Sequence, residues 1–236
     1  MSERSNAKTA RPRPGRLLPV LDASLHDPAP VSPGTSVRAE RRDAAENRRQ
    51  ILAAAARLFA ERGVDPVCMD EIAREAGVGK GTLYRRFAHK GELCEALLDA
   101  SARRFQEETL AVVGRGAEVA PALDLLDRFL TRLVAFNEEN APLLSAVRDA
   151  AFGERRHAVY HSPAYAWQRL TVAALLRRAV AAGECPPLDV EYLADAVLAP
   201  LDIDLYLYQR HGLGFGPERI AAGLRRLAPG GLRRAE

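Results

Sequence analysis

The chain has 236 residues, 47% apolar and 28% charged, with a formal net charge of +3, a balance that suits one mid-sized globular unit or two small ones and excludes a low-complexity or fibrous chain. Its three cysteines, Cys68, Cys94 and Cys185, are widely spaced and form no CxxC, which excludes a disulfide scaffold and a paired-cysteine zinc site and suggests reduced thiols in a cytoplasmic protein. No apolar run reaches the ~18 residues of a membrane span, and prolines and arginines interrupt the apolar core a signal peptide would need.

Charge is uneven along the chain. Residues 1–42 carry eight Lys/Arg against four Asp/Glu, residues 43–91 nine against seven, and the remainder 17 against 20. The basic end can attract a polyanion. Residues 1–42 also hold six prolines and seven arginines and no apolar period. They read as a solvated, disordered tail, or else as a basic arm that touches DNA phosphates or the minor groove.

From Asp43 the pattern becomes helical. Ile51, Ala55, Leu58, Phe59 and Arg62 fall at helical spacing, Gly63 ends the run, and Asp65-Pro66 marks a turn. A short helix is predicted from about Met69 to Ala76, with Asp70 and Glu71 in its first turn. Gly77 stops it. A third helix should run from Lys80 to Phe87, and a long fourth from near Glu92 to near Val113. Pro121 then opens a run to Asn140, and Pro142 opens another to Arg156. Pro163 precedes a run from Tyr165 to Ala182, Asp189 caps a run to His211, and Pro217 opens the last. With no strand alternation, the predicted class is all-α. Residues 43–91 form a three-helix helix-turn-helix head, and residues 92–230 form a larger helical body.

The informative stretch is MDEIAREAGVGKGTLYRRFAHK, residues 69–90. Two short helices meet at the tight turn Ala76-Gly77-Val78-Gly79. Ile72, Ala73 and Ala76 form the inner face of the first. Leu83 and Phe87, four apart, share the inner face of the second. At about 100° per residue, Gly81, Thr82 and Arg85 lie outward, flanked by Tyr84 and Arg86. Small residues permit close approach, and Arg, Tyr and Thr donate to phosphates and base edges, as a helix in the major groove requires. Lys90 stands at the start of the next helix, where a phosphate is favoured.

The run AGVGKGTLYRRFAHKGEL, with the upstream segment NRRQILAAAARLFAERGVDPVCMDEIA, resembles the signature of the TetR/AcrR family of bacterial regulators over Glu46 to Leu97. AGECPPLDVEYLADAVLAPLD resembles the family's C-terminal region less sharply. The resemblance implies that Lys80, Thr82 and Arg85 face base edges, with Gly81 on the same close-approaching surface. Tyr84, Arg86, Lys90 and Arg48 would face phosphates. Gly79 stands where the family often has Ser, Arg86 where His is common, and Cys68 where Thr often caps the second helix, so that cap should be weaker.

The resemblance also implies a homodimer on a palindromic double-stranded DNA operator, regulated as a repressor by an unidentified small-molecule effector. The dimer surface would lie near Ala173, Ala174, Leu193, Ala196, Val197 and Leu201. A ligand cavity in the body would draw on Phe136, Arg148, Phe152, His157, Tyr165 and Trp167. No cofactor, metal or membrane partner is expected. An enzyme is disfavoured: GxSxG and HExxH are missing, and a P-loop reading of Gly79-Lys80 fails because Arg74 and Gly81 occupy the required glycine and hydroxyl positions. The alternative is a helical DNA-binding or adaptor protein that reads no sequence.

Overall fold

A computed structural model describes residues 35–116, 120–150 and 160–233. These residues form helices and turns, with no strand among them, so the chain is all-α, a three-helix head on a larger helical body. Helix α1 spans Thr35–Arg62. It starts well before Asp43, within the segment expected to be a tail. The Arg, Ala and Glu that fill this stretch are strong helix formers, and Glu46 accepts hydrogen bonds from Arg49 and Gln50 within the helix. Residues 1–34 of the expected tail lie outside the described residues.

The head continues with α2 (Met69–Glu75) and α3 (Lys80–Arg86). Ile51, Ala55 and Phe59 of α1 meet Val64, Val67, Ile72, Ala73, Leu83 and Phe87 in one buried cluster, closed by Leu93 and Cys94. Gly63 (φ +80°) ends α1 and Gly77 (φ +66°) turns the chain between α2 and α3; both need a left-handed backbone that a side chain would strain.

Helix α4 (Lys90–Gly116) leads from the head into the body and packs along α5 (Ala122–Ala150). The expected break between Asn140 and Pro142 does not occur: Pro142 lies inside α5. The Asn140 side-chain amide donates to the Phe136 carbonyl at 2.8 Å one turn earlier. Beyond the proline, Leu143, Ala146 and Val147 pack against the head's cluster, and that burial offsets the proline's cost. At the same junction α4 and α5 approach so closely that a Cβ on Gly91 would stand 2.3 Å from that of Ala150.

The body closes with α6 (Pro163–Ala181), α7 (Val190–Leu198), α8 (Ile203–Leu207) and α9 (Pro217–Arg225). Ser162 and Asp189 cap α6 and α7 through Tyr165 N and Tyr192 N. The single run expected from Asp189 to His211 is instead divided. Pro200 sits in a 3-10 turn at Ala199–Leu201, Asp202 caps α8, and a π-helical turn, Tyr208–Gly212, ends it. The buried core gathers Leu123, Leu126, Phe129, Trp167, Leu176 and Tyr206. No helix among the described residues is long and apolar enough to cross a membrane.

Candidate nucleic-acid interface

Helix α3 is short and strongly two-sided. Leu83 is fully buried and Phe87, its C-terminal cap residue, is 4% exposed. On the other side Gly81 and Arg85 are exposed and Tyr84 is 47% exposed. Arg85 makes no hydrogen bond or ion pair among the described residues. Space beside Gly81 is open, with nothing within 4 Å of a Cβ built there. The surface offers one uncommitted guanidinium, one phenol and a flat approach.

The other predicted contacts are partly engaged. Lys80 is exposed but ion-paired with Asp70 of α2, which raises its pKa. Thr82 is half-buried. Arg86 is also half-buried, with its Nε buried and unpaired among the described residues. Arg48 of α1 is exposed and sets its guanidinium 5.7 Å from the centre of the Phe87 ring, a cation–π arrangement. Arg48 and Arg86 share a shallow hollow with Glu92, Glu95 and Asp99 of α4.

Lys90 differs most from expectation. Its Nζ donates to the carbonyls of Val64 (2.9 Å), Asp65 (3.0 Å) and Val67 (3.2 Å). An ammonium has three donors, and all three are used. Lys90 therefore ties the start of α4 to the α1–α2 loop and is a positioning residue. A phosphate contact by Lys90 would have to replace one of these three bonds.

The start of α2 is also better held than a cysteine cap implies. Glu71 accepts from Cys68 N at 2.9 Å and from Arg62 at 2.9 Å. The Cys68 N–H above all, and then Arg62, push its carboxyl down to about 2 from an ordinary value of 4.5. Because the folded value is the lower one, its stabilising contribution is complete above about pH 4.5 and fades as pH falls toward 2. Glu71→Gln should therefore flatten the pH dependence of head stability across that acidic window. Acid unfolding followed by circular dichroism checks this; an unchanged acid profile would show that the carboxylate contributes nothing there.

In the body, Phe136 and Trp167 both pack on Phe105, with ring centres 5.1 and 5.9 Å away, and Phe129 joins them. These rings pack together within the body's core. Tyr165 packs against the same core and donates to Asp195 at 2.7 Å, and Arg148 pairs with Asp149 and Asp204. Phe152 and His157 lie outside the described residues. Trp167 Nε1 and Thr109 Oγ1 are buried without a hydrogen-bond partner among the described residues. Of the expected dimer residues, Ala173, Val197 and Leu201 fill the subunit's own core, whereas Leu170, Leu205 and Tyr208 are exposed.

A buried-core helix-turn-helix with a cationic outer face, set on a helical body, defines the class of helix-turn-helix DNA-binding proteins. Residues 51–97 match the family model described as bacterial regulatory proteins, tetR family. Over 54 residues the chain is 52% identical to an HTH-type transcriptional regulator of Staphylococcus aureus strain USA300, covering 23% of this chain and 29% of that one; the match thus spans under a third of the relative's length. A TetR-family transcriptional regulator from Rhodococcus sp. is 25% identical with a TM-score of 0.57, covering 80% of this chain and all of that one. A transcriptional regulator from Saccharomonospora viridis, solved in complex with choline, shares the fold at 21% identity and a TM-score of 0.60, covering 81% and 100%. Residues 51–97 therefore carry a head similar to that of tetR-family bacterial regulatory proteins, and the described residues share the fold of solved TetR-family structures.

Proposed function

We propose that the protein is a sequence-specific DNA-binding transcriptional regulator that binds a palindromic operator as a homodimer, resides in the cytoplasm and acts as a ligand-responsive repressor. The observation that carries this reading is α3, which buries Leu83 and Phe87 and leaves Gly81, Tyr84 and Arg85 outward. Arg85 reads base edges, and Lys80 and Thr82 assist it once Lys80 exchanges Asp70 for DNA. Tyr84, Arg86 and Arg48 contact phosphates. The choline complex of a relative and the unsatisfied Trp167 Nε1 support an effector site in the body, since a buried N–H without an acceptor calls for one. The exposed Leu170, Leu205 and Tyr208 offer apolar surface for the second subunit. An effector acts by favouring one spacing of the two heads, transmitted through α4 and the close Gly91–Ala150 contact.

The test is binding to duplexes selected from a random pool, compared with scrambled duplexes of the same composition. Arg85→Ala should cost about 1–3 kcal/mol on the selected site and relax preference at one base pair per half-site. Equal affinity for selected and scrambled DNA would contradict sequence-specific regulation.

A further inference from the structure

The described side chains of α1 before Ile51, residues 42–50, take no part in the head's buried cluster. Among the described side chains of the helix the first fully buried one is Ile51, although the helix begins at Thr35. Residues 42–50 are exposed or half-buried throughout. Most helices draw their stability from a packed apolar face, and the sequence of this stretch is rich in charge instead. Residues 35–50 carry Arg38, Arg41, Arg42, Arg48 and Arg49 against Glu40, Asp43 and Glu46. Glu46 is taken by Arg49, while Arg42 is exposed and makes no ion pair among the described residues.

Arg48 fixes where this stretch lies. Its guanidinium rests on Phe87, the residue that ends the recognition helix, and it shares a rim with Arg86. From that point back to Thr35 is 13 residues of helix, about 20 Å at 1.5 Å per residue. Along a duplex axis that length passes about six base pairs, at one phosphate per 3.4 Å of each strand.

We infer that residues 35–48 form a second DNA-contacting element, a basic helical rail on the phosphodiester backbone outside the half-site faced by α3. This rests on the reading of α3 as the recognition helix and extends it to sequence-independent contacts. Continuity with Phe87 and Arg86 of the recognition-helix region favours nucleic acid over an acidic protein partner.

The test uses the full chain and a triple variant, Arg38→Gln, Arg41→Gln and Arg42→Gln. Binding to the selected operator is measured by fluorescence anisotropy across a potassium chloride series, with duplexes that end at the half-sites or extend eight base pairs beyond. Wild type should gain affinity from the flanks. The variant should lose that gain, and its slope of log affinity against log salt should fall by about two to three, at about 0.9 per phosphate. Its preference for the selected site over a scrambled one, and its thermal midpoint, should not change. A variant with the flank gain and salt slope of wild type would overturn the rail. Flank and salt effects that persist in wild type without discrimination of the selected site would overturn the reading of α3 and leave the rail standing. A tight acidic-protein complex with no flank gain would favour the rejected partner class.

Discussion

Gly81→Leu is expected to abolish specific operator binding, a loss of at least about 100-fold or ~2.7 kcal/mol, while thermal stability stays level or rises. In the free protein nothing lies within 4 Å of the position a Cβ would take, so leucine enters open space on an exposed face. Glycine inside a helix costs roughly 0.5–1 kcal/mol against alanine, so losing it favours the folded state. Against a duplex the same side chain stands between α3 and the base edges. Thermal unfolding and anisotropy on the selected operator report the two effects separately. Binding within about threefold of wild type would mean that this face does not lie against DNA.

Lys90→Met should act in the opposite sense, on stability before binding. Hydrogen bonds to a charged group contribute about 1.5–3 kcal/mol, and Lys90 makes three of them to carbonyls of the α1–α2 loop. Methionine keeps the stem and loses the ammonium. A loss of about 2–4 kcal/mol in the head is expected, read as a lower urea midpoint. The salt slope of the molecules that remain folded should stay as it was. A phosphate ligand would behave otherwise, with the slope falling by about one and the midpoint unmoved. The denaturation curve and the salt titration together decide between them.

The contrast between these two residues shows what local sequence can carry. Gly81 faces outward because Leu83 and Phe87 face inward, and that follows from helical spacing within seven residues. The turn at Gly77 and the end of α1 at Gly63 are equally local, since each needs a positive φ. The Lys90 clamp joins residues 23 to 26 positions apart through backbone carbonyls, which carry no side-chain signature. A lysine before a helix reads the same whether it meets a phosphate or a loop.

Two further differences have related causes. Pro142 is a strong local break signal, yet burial of Leu143, Ala146 and Val147 against the head overrides it. In the body, helical spacing places Phe136 and Trp167 inward but does not distinguish core from cavity. In the structure both rings pack on Phe105.

The central claim is that the outer face of α3 lies in the major groove with Arg85 on a base edge, and guanine N7 methylation interference tests it most directly. Methylation removes the N7 acceptor that an arginine uses on guanine. The account predicts that operator molecules methylated at one guanine per half-site are excluded from the bound fraction, and that Arg85→Ala erases the exclusion. Bound and free fractions with identical methylation at every guanine, together with displacement by a minor-groove ligand, would contradict it.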